Sequence, residues 1–203
     1  MLSFRIVRHS RGAPGGFTLL ELLIVVILIS IFSAIIIPSF LSLVNREKVN
    51  SVALGLAGWI ESVRNYAARQ ISADPSAAGC AIKFLPTSSA TAGTIIAQID
   101  SSAGGGCQMP LNEQSYRVPS DIGASFSFAA VNQLGIPNNS LIFTPRGIWI
   151  SNPASSGPLI LKIVQNGVGP MRCLKTSEFL GDLEIGSINA KVITSVCDSY
   201  AAF

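Results

Sequence analysis

The chain has 203 residues, 49% hydrophobic and only 12% charged, which is room for one long apolar element and one domain of about 100–150 residues, and too little for two such domains. Three of its 14 basic residues, Arg5, Arg8 and Arg11, fall in the first 16 positions, so from Phe17 onward 11 basic residues stand against 11 acidic ones. That balance excludes long-range attraction to a polyanion as the basis of function, and a lone histidine, His9, leaves everything after it without histidine for metal binding or proton transfer.

Residues 1–16 read as a basic leader ending in Gly15-Gly16, followed by Phe17-Thr18-Leu19-Leu20-Glu21 and then by residues 22–44, which contain no charge. At a rise of about 1.5 Å per residue, that run is long enough for a helix to cross a hydrocarbon core of about 30 Å. An ordinary secretory signal is the rival reading. It fails on three counts: its apolar core is usually about 7–15 residues, its small-residue cut site follows that core, and here Gly15-Gly16 precedes the run with no A-x-A-like site after it. A cut between Gly16 and Phe17 removes the leader and leaves the apolar helix on the mature protein. The leader arginines predict that their flank stays cytoplasmic and that the body beyond Val44 is exported.

Glu21 stands at the head of this run, where an acid inside a bilayer costs about 2.5–3.5 kcal/mol. After the cut, the new amine of Phe17 lies four residues away with the opposite charge, and the amine of a like-built neighbour offers the same pairing, which would set register between subunits. The alternative is that Glu21 sits at the headgroup boundary and is hydrated.

A basic leader ending in Gly16, then Phe17-Thr18-Leu19-Leu20-Glu21-Leu22-Leu23 and a long apolar helix containing Pro38, resembles the type III signal of type IV prepilins and of type II secretion pseudopilins. The resemblance implies an aspartyl prepilin peptidase that cuts after Gly16, N-methylation of Phe17, and a mature subunit first held in the inner membrane and then drawn into a helical filament. Glu21 would act in assembly and Pro38 as the helix-loosening proline.

From Asn45 to about Ile71 the chain turns amphipathic without a break. Val49, Val52, Ala53, Leu56, Trp59, Ile60, Val63 and Ala67 recur at intervals of three and four. One helix over residues 17–71 would be roughly 80 Å long, its first half for lipid or neighbours and its second for packing under a sheet. Pro38 removes a backbone donor within it. Gly55 and Gly58 lower helix propensity by about 1 kcal/mol each and are read as sites of close strand packing. Asp74-Pro75 ends the helix.

Beyond it, residues 80–85, 94–99, 116–118, 124–131, 141–144, 148–151, 159–164, 171–176 and 183–185 have strand character between Pro, Gly and Asn turns. Phe126, Phe128 and Ala130 alternate toward the helix. A helix followed by antiparallel strands is an α+β order, here a long N-terminal helix packed on an antiparallel sheet. The division is residues 1–16 leader, 17–44 transmembrane or filament-core helix, and 45–203 exported domain. The glycine run 104–106 lacks a following Lys-Ser or Lys-Thr and opens no helix, so it is not a phosphate cradle.

All four cysteines, Cys80, Cys107, Cys173 and Cys197, lie in the exported part. An even count in an oxidising compartment favours two disulfides, with three connectivities open. Pairing Cys80 with Cys107 and Cys173 with Cys197 closes the shortest loops and is preferred on that ground; free buried thiols are the alternative. No C-x-x-C pair is present, so no metal is expected.

Leu141-Ile142-Phe143-Thr144-Pro145-Arg146-Gly147, the strand at 159–163, and Arg172-Cys173-Leu174 with Gly181 beyond are similar to the C-terminal sheet of GspH/FimT-type minor pseudopilins. The likeness implies a structural subunit whose partners are the prepilin peptidase and other pilins or pseudopilins, with no cofactor and no catalysis. Some FimT-type minor pilins bind DNA through a Gly-Arg-x-Arg motif. The comparable place here reads Gly181-Asp182-Leu183-Glu184, and two acids where arginines would stand repel phosphates. Nucleic acid is therefore not an expected partner, and Arg146, Arg172 and Lys175 are read as solvated strand-end charges rather than as a local basic patch. The scattered acids Glu113, Asp121, Glu178 and Asp182 form no evident catalytic pair.

Overall fold

The computed structural model describes residues 16–69, 79–100, 107, 109–145, 149–151, 157–176, 182–197 and 200–202. The chain forms two units, one up to Ser42 and one from Leu43 to Phe203. In chain order the elements are α1 (Leu19–Arg69), β1 (Cys80–Phe84), β2 (Thr87–Ala90), β3 (Ile95–Ile99), β4 (Ser115–Arg117), β5 (Phe126–Asn132), β6 (Ser140–Phe143), β7 (Trp149–Ser151), β8 (Leu159–Gln165), β9 (Val168–Thr176), β10 (Leu183–Ile188) and β11 (Tyr200–Ala202).

In the first unit α1 carries no charge after Glu21, and the large apolar side chains from Phe17 to Phe32 are 47% to 84% exposed. The backbone is helical through Pro38, while the side chains of residues 35–39 lie outside the described residues. Among the described residues no helix is long and apolar enough to cross a membrane.

In the second unit the expected amphipathic pattern of α1 becomes a core. Val49, Val52, Leu56, Ile60, Val63 and Ala67 are fully buried, in one cluster with residues of β1, β3, β5, β6 and β8. Trp59 lies at the margin of this cluster, and Ala57 joins it.

The strands form two antiparallel sheets where a single sheet was expected: one in the order β4-β3-β1-β6-β7, the other β11-β10-β9-β8-β5-β2. Between β1 and β2 stands Pro86, which has no amide to donate to a ladder, and the chain crosses there from the first sheet to the second. In the second sheet Phe126, Phe128 and Ala130 of β5 pair with Gln165, Ile163 and Leu161 of β8. Those three β5 side chains are buried in the helix-side cluster, in accord with the alternation read from the sequence.

β8 is buried on both faces. Leu159, Leu161 and Ile163 belong to the helix-side core, and Ile160 and Val164 to a second small cluster with Met171, Cys173 and Cys197, against which Ala190, Ile193 and Tyr200 pack. The tail after β10 therefore covers the outer face of this sheet, and β11 lengthens its edge. Disulfides join Cys80 to Cys107 and Cys173 to Cys197. The first ties the segment before β4 to β1, and the second holds the tail to β9.

Candidate functional site

Gly16, Phe17 and Thr18 precede the helix in non-helical backbone, and all three are exposed. Phe17 is 82% accessible. Among the described residues nothing lies within 4 Å of where a side chain at Gly16 would begin. The peptide bond between Gly16 and Phe17 thus joins two exposed residues outside the helix.

The helix starts immediately afterward because Thr18 caps it. The Thr18 carbonyl accepts from the Leu22 amide at 3.2 Å, and the Thr18 Oγ1 accepts from the Glu21 amide, also at 3.2 Å. This is N-cap geometry, in which a hydroxyl satisfies an amide that the first turn leaves without a carbonyl. Glu21 stands three residues after the cap, the position of the acid in a capping box, and its charge complements the positive end of the helix dipole. The Thr-x-x-Glu spacing carries this signal in the sequence, yet the cap was not among the expectations.

Further along, the Ser30 hydroxyl donates to the Val26 carbonyl at 2.7 Å, so the polar group inside the apolar run is satisfied within the helix. Contiguous apolar surface of this extent on a soluble domain marks a site of contact with protein or lipid. Every side chain that would make that contact lies on one continuous element behind the Gly16–Phe17 bond.

Arg172 and Lys175 form no joint basic patch. The two residues lie three apart on β9 and so point to opposite faces. The Arg172 Nε donates to the Asn50 Oδ1 of α1, while Lys175 lies 3.5 Å from Glu184 and 5.2 Å from the centre of the Tyr200 ring. Arg146, Gly147 and Gly181 lie outside the described residues. Asp182 lies 3.9 Å from Arg64. The two acids read as repelling phosphate are thus each within ion-pair distance of a cation.

Gly58 also corrects an expectation, since nothing lies within 4 Å of a side chain built there. Gly55 alone carries the close approach, to Tyr116 of β4. Buried Lys162 of β8 reaches the tail and donates to the Ser195 carbonyl at 2.8 Å; burial lowers its pKa. Among the described residues no cluster of three or more His, Cys, Asp or Glu is placed to hold a metal ion.

The exposed junction, the capped apolar helix and the antiparallel sheets define an α+β protein of pilin-like architecture. Residues 13–37 match the family described as the prokaryotic N-terminal methylation motif. The chain carries the type IV prepilin signal, the mark of the type IV pilin superfamily, across the Gly16–Phe17 junction, Thr18, Glu21 and the first turns of α1. Neither a curated protein nor a solved structure matches the chain.

Proposed function

We propose that the protein is a minor pilin or pseudopilin of GspH/FimT type, a structural subunit of a type IV pilus or of a type II secretion pseudopilus. The observation that carries the reading is the uncharged, solvent-exposed run of α1 that follows Glu21, directly behind the exposed, non-helical Gly16–Phe17 junction. A helix that is apolar all round is one that is buried, here by lipid or by like helices.

On this reading residues 1–16 are removed by a prepilin peptidase and Phe17 becomes the methylated N-terminus. Residues 17–44 anchor the subunit in the inner membrane by a single pass and later lie in the filament core. Residues 45–203 are exported, with both disulfides forming in that compartment. Glu21 pairs with the amine of a neighbouring subunit, and Pro38 loosens the helix as subunits pack. The helix and sheets serve as scaffold and contact surface and carry no reaction.

The test is the mass and N-terminal sequence of the protein recovered from native membranes or sheared surface material. A chain starting at methylated Phe17 supports the reading. An intact Met1, or a start beyond Val44, overturns it.

A further inference from the structure

A pocket of about 380 Å³ opens in the second unit where α1 meets one end of the second sheet, lined by Arg46, Pro170, Arg172, Ser187, Ile188 and Asn189. Two of the six are arginines, brought from different elements: Arg46 from α1 and Arg172 from β9. That concentration stands out in a chain whose charges balance from Phe17 onward.

The guanidinium of Arg172 is held in place, because its Nε donates to the Asn50 Oδ1. Burial lowers the Arg172 pKa and the charge of Arg46 lowers it further, while Glu47 acts the other way. Among the described residues, no carboxylate lies within ion-pair distance of either arginine in the pocket. Two like charges around one concavity are disfavoured until an anion lies between them, and guanidinium groups match the oxygens of a phosphate with paired donors.

The position on α1 narrows the source of that anion. Arg46 follows Val44, the last residue of the uncharged run, by two positions, about 3 Å along a helix. In a chain anchored by that run, Arg46 lies at the level of the phospholipid headgroups. We propose that the Arg46–Arg172 pocket binds the phosphate of an anionic phospholipid headgroup, holding the exported domain against the bilayer until the subunit is extracted. This rests on the membrane-anchored reading above. The apolar walls, Pro170 and Ile188, suit the glycerol side of such a headgroup.

The test uses the full mature chain in a non-ionic detergent, titrated with phosphatidylglycerol and followed by native mass spectrometry. The wild type retains one lipid. Arg46→Gln, which alters an exposed side chain, and Arg46→Gln combined with Arg172→Lys each require about tenfold more lipid for the same occupancy, the loss of one charge-assisted contact. Inorganic phosphate at equal concentration does not displace the lipid. Equal lipid retention by wild type and variants overturns the proposal, as does equal competition by inorganic phosphate or by an acidic peptide. Flotation of the same proteins with vesicles separates the two levels. Wild type and variants that float alike, but retain lipid alike, overturn the pocket alone. A wild-type chain that does not float overturns the anchored reading and the pocket with it.

Discussion

The Tyr116 hydroxyl donates a 3.0 Å hydrogen bond to the Val52 carbonyl of α1, and it does so through the gap left by Gly55. A side chain at Gly55 would meet that hydroxyl oxygen inside van der Waals contact. Trp59, one turn on, lies 6.4 Å from the Tyr116 ring and donates its Nε1 to the Glu113 carbonyl at 2.7 Å. The edge of the first sheet is thereby fastened to the helix by two aromatic residues and one missing side chain.

Gly55→Ala and Gly58→Ala should therefore act with opposite sign. Alanine gains about 1 kcal/mol over glycine in a helix interior, and at the open position 58 that gain is realised. At position 55 the methyl group displaces Tyr116, and overpacking with the lost hydrogen bond costs about 2 kcal/mol, a net destabilisation of about 1 kcal/mol. Denaturant melts of the two variants check the signs. In a Tyr116→Phe background the cost of Gly55→Ala should shrink, because the clashing oxygen is gone; an unchanged cost would place the strain elsewhere.

Tyr116 also gives the fold a defined alkaline weakness. Burial pushes its pKa up from 10.0 to about 12, so the folded state favours the neutral hydroxyl. The stability tied to that hydroxyl is complete below the ordinary value near 10 and is lost as pH rises toward about 12. Unfolding free energies measured at intervals from pH 9 to about 11.5 should fall more steeply for wild type than for Tyr116→Phe. Parallel curves would show that the hydroxyl titrates as in the unfolded chain.

The second disulfide secures a layer that the sequence shows only faintly. Cys173 and Cys197 are 24 residues apart, and a link of that span contributes about 3 kcal/mol. The tail it holds covers Ile160, Val164 and Met171 and supplies the carbonyl for Lys162. Replacing both cysteines with serine should lower stability by about 2–4 kcal/mol. Faster amide exchange should be confined to residues 189–200 and to β8, β9 and β10. Exchange that accelerates equally in β1 and β3 would mean that the two faces of the second sheet unfold as one.

The long helix and most strands were legible because burial follows simple periods here: three and four in Val49, Val52, Leu56, Ile60 and Val63, and two in Phe126, Phe128 and Ala130. β2, Thr87-Ser88-Ser89-Ala90, has no apolar alternation and is a strand only because β5 lies beside it. β11 is three residues long and depends on β10 in the same way. The split into two sheets follows from which strands pair, which no local pattern records. The processing signal is local and was legible throughout, whereas Arg46 and Arg172 meet only through the fold.

Glu21 has two roles to separate, and its place in the structure supplies the means. As the third residue after the Thr18 cap it favours the start of α1 by its position, a role that glutamine also fills in a capping box. As the proposed partner of a neighbour's amine it would act by charge, which glutamine lacks. Thr18→Ala should weaken the helix start by about 1 kcal/mol and leave assembly measurable. If charge pairing is the role, Glu21→Gln and Glu21→Ala both give a processed, folded protein that fails to enter the filament, scored by its absence from sheared surface material or from cross-linked assemblies. If capping is the role, Glu21→Gln incorporates normally and only Glu21→Ala falls short, to the same degree as Thr18→Ala. Normal incorporation of both Glu21 variants removes the carboxylate from assembly altogether and leaves subunit register to the apolar surface of the helix.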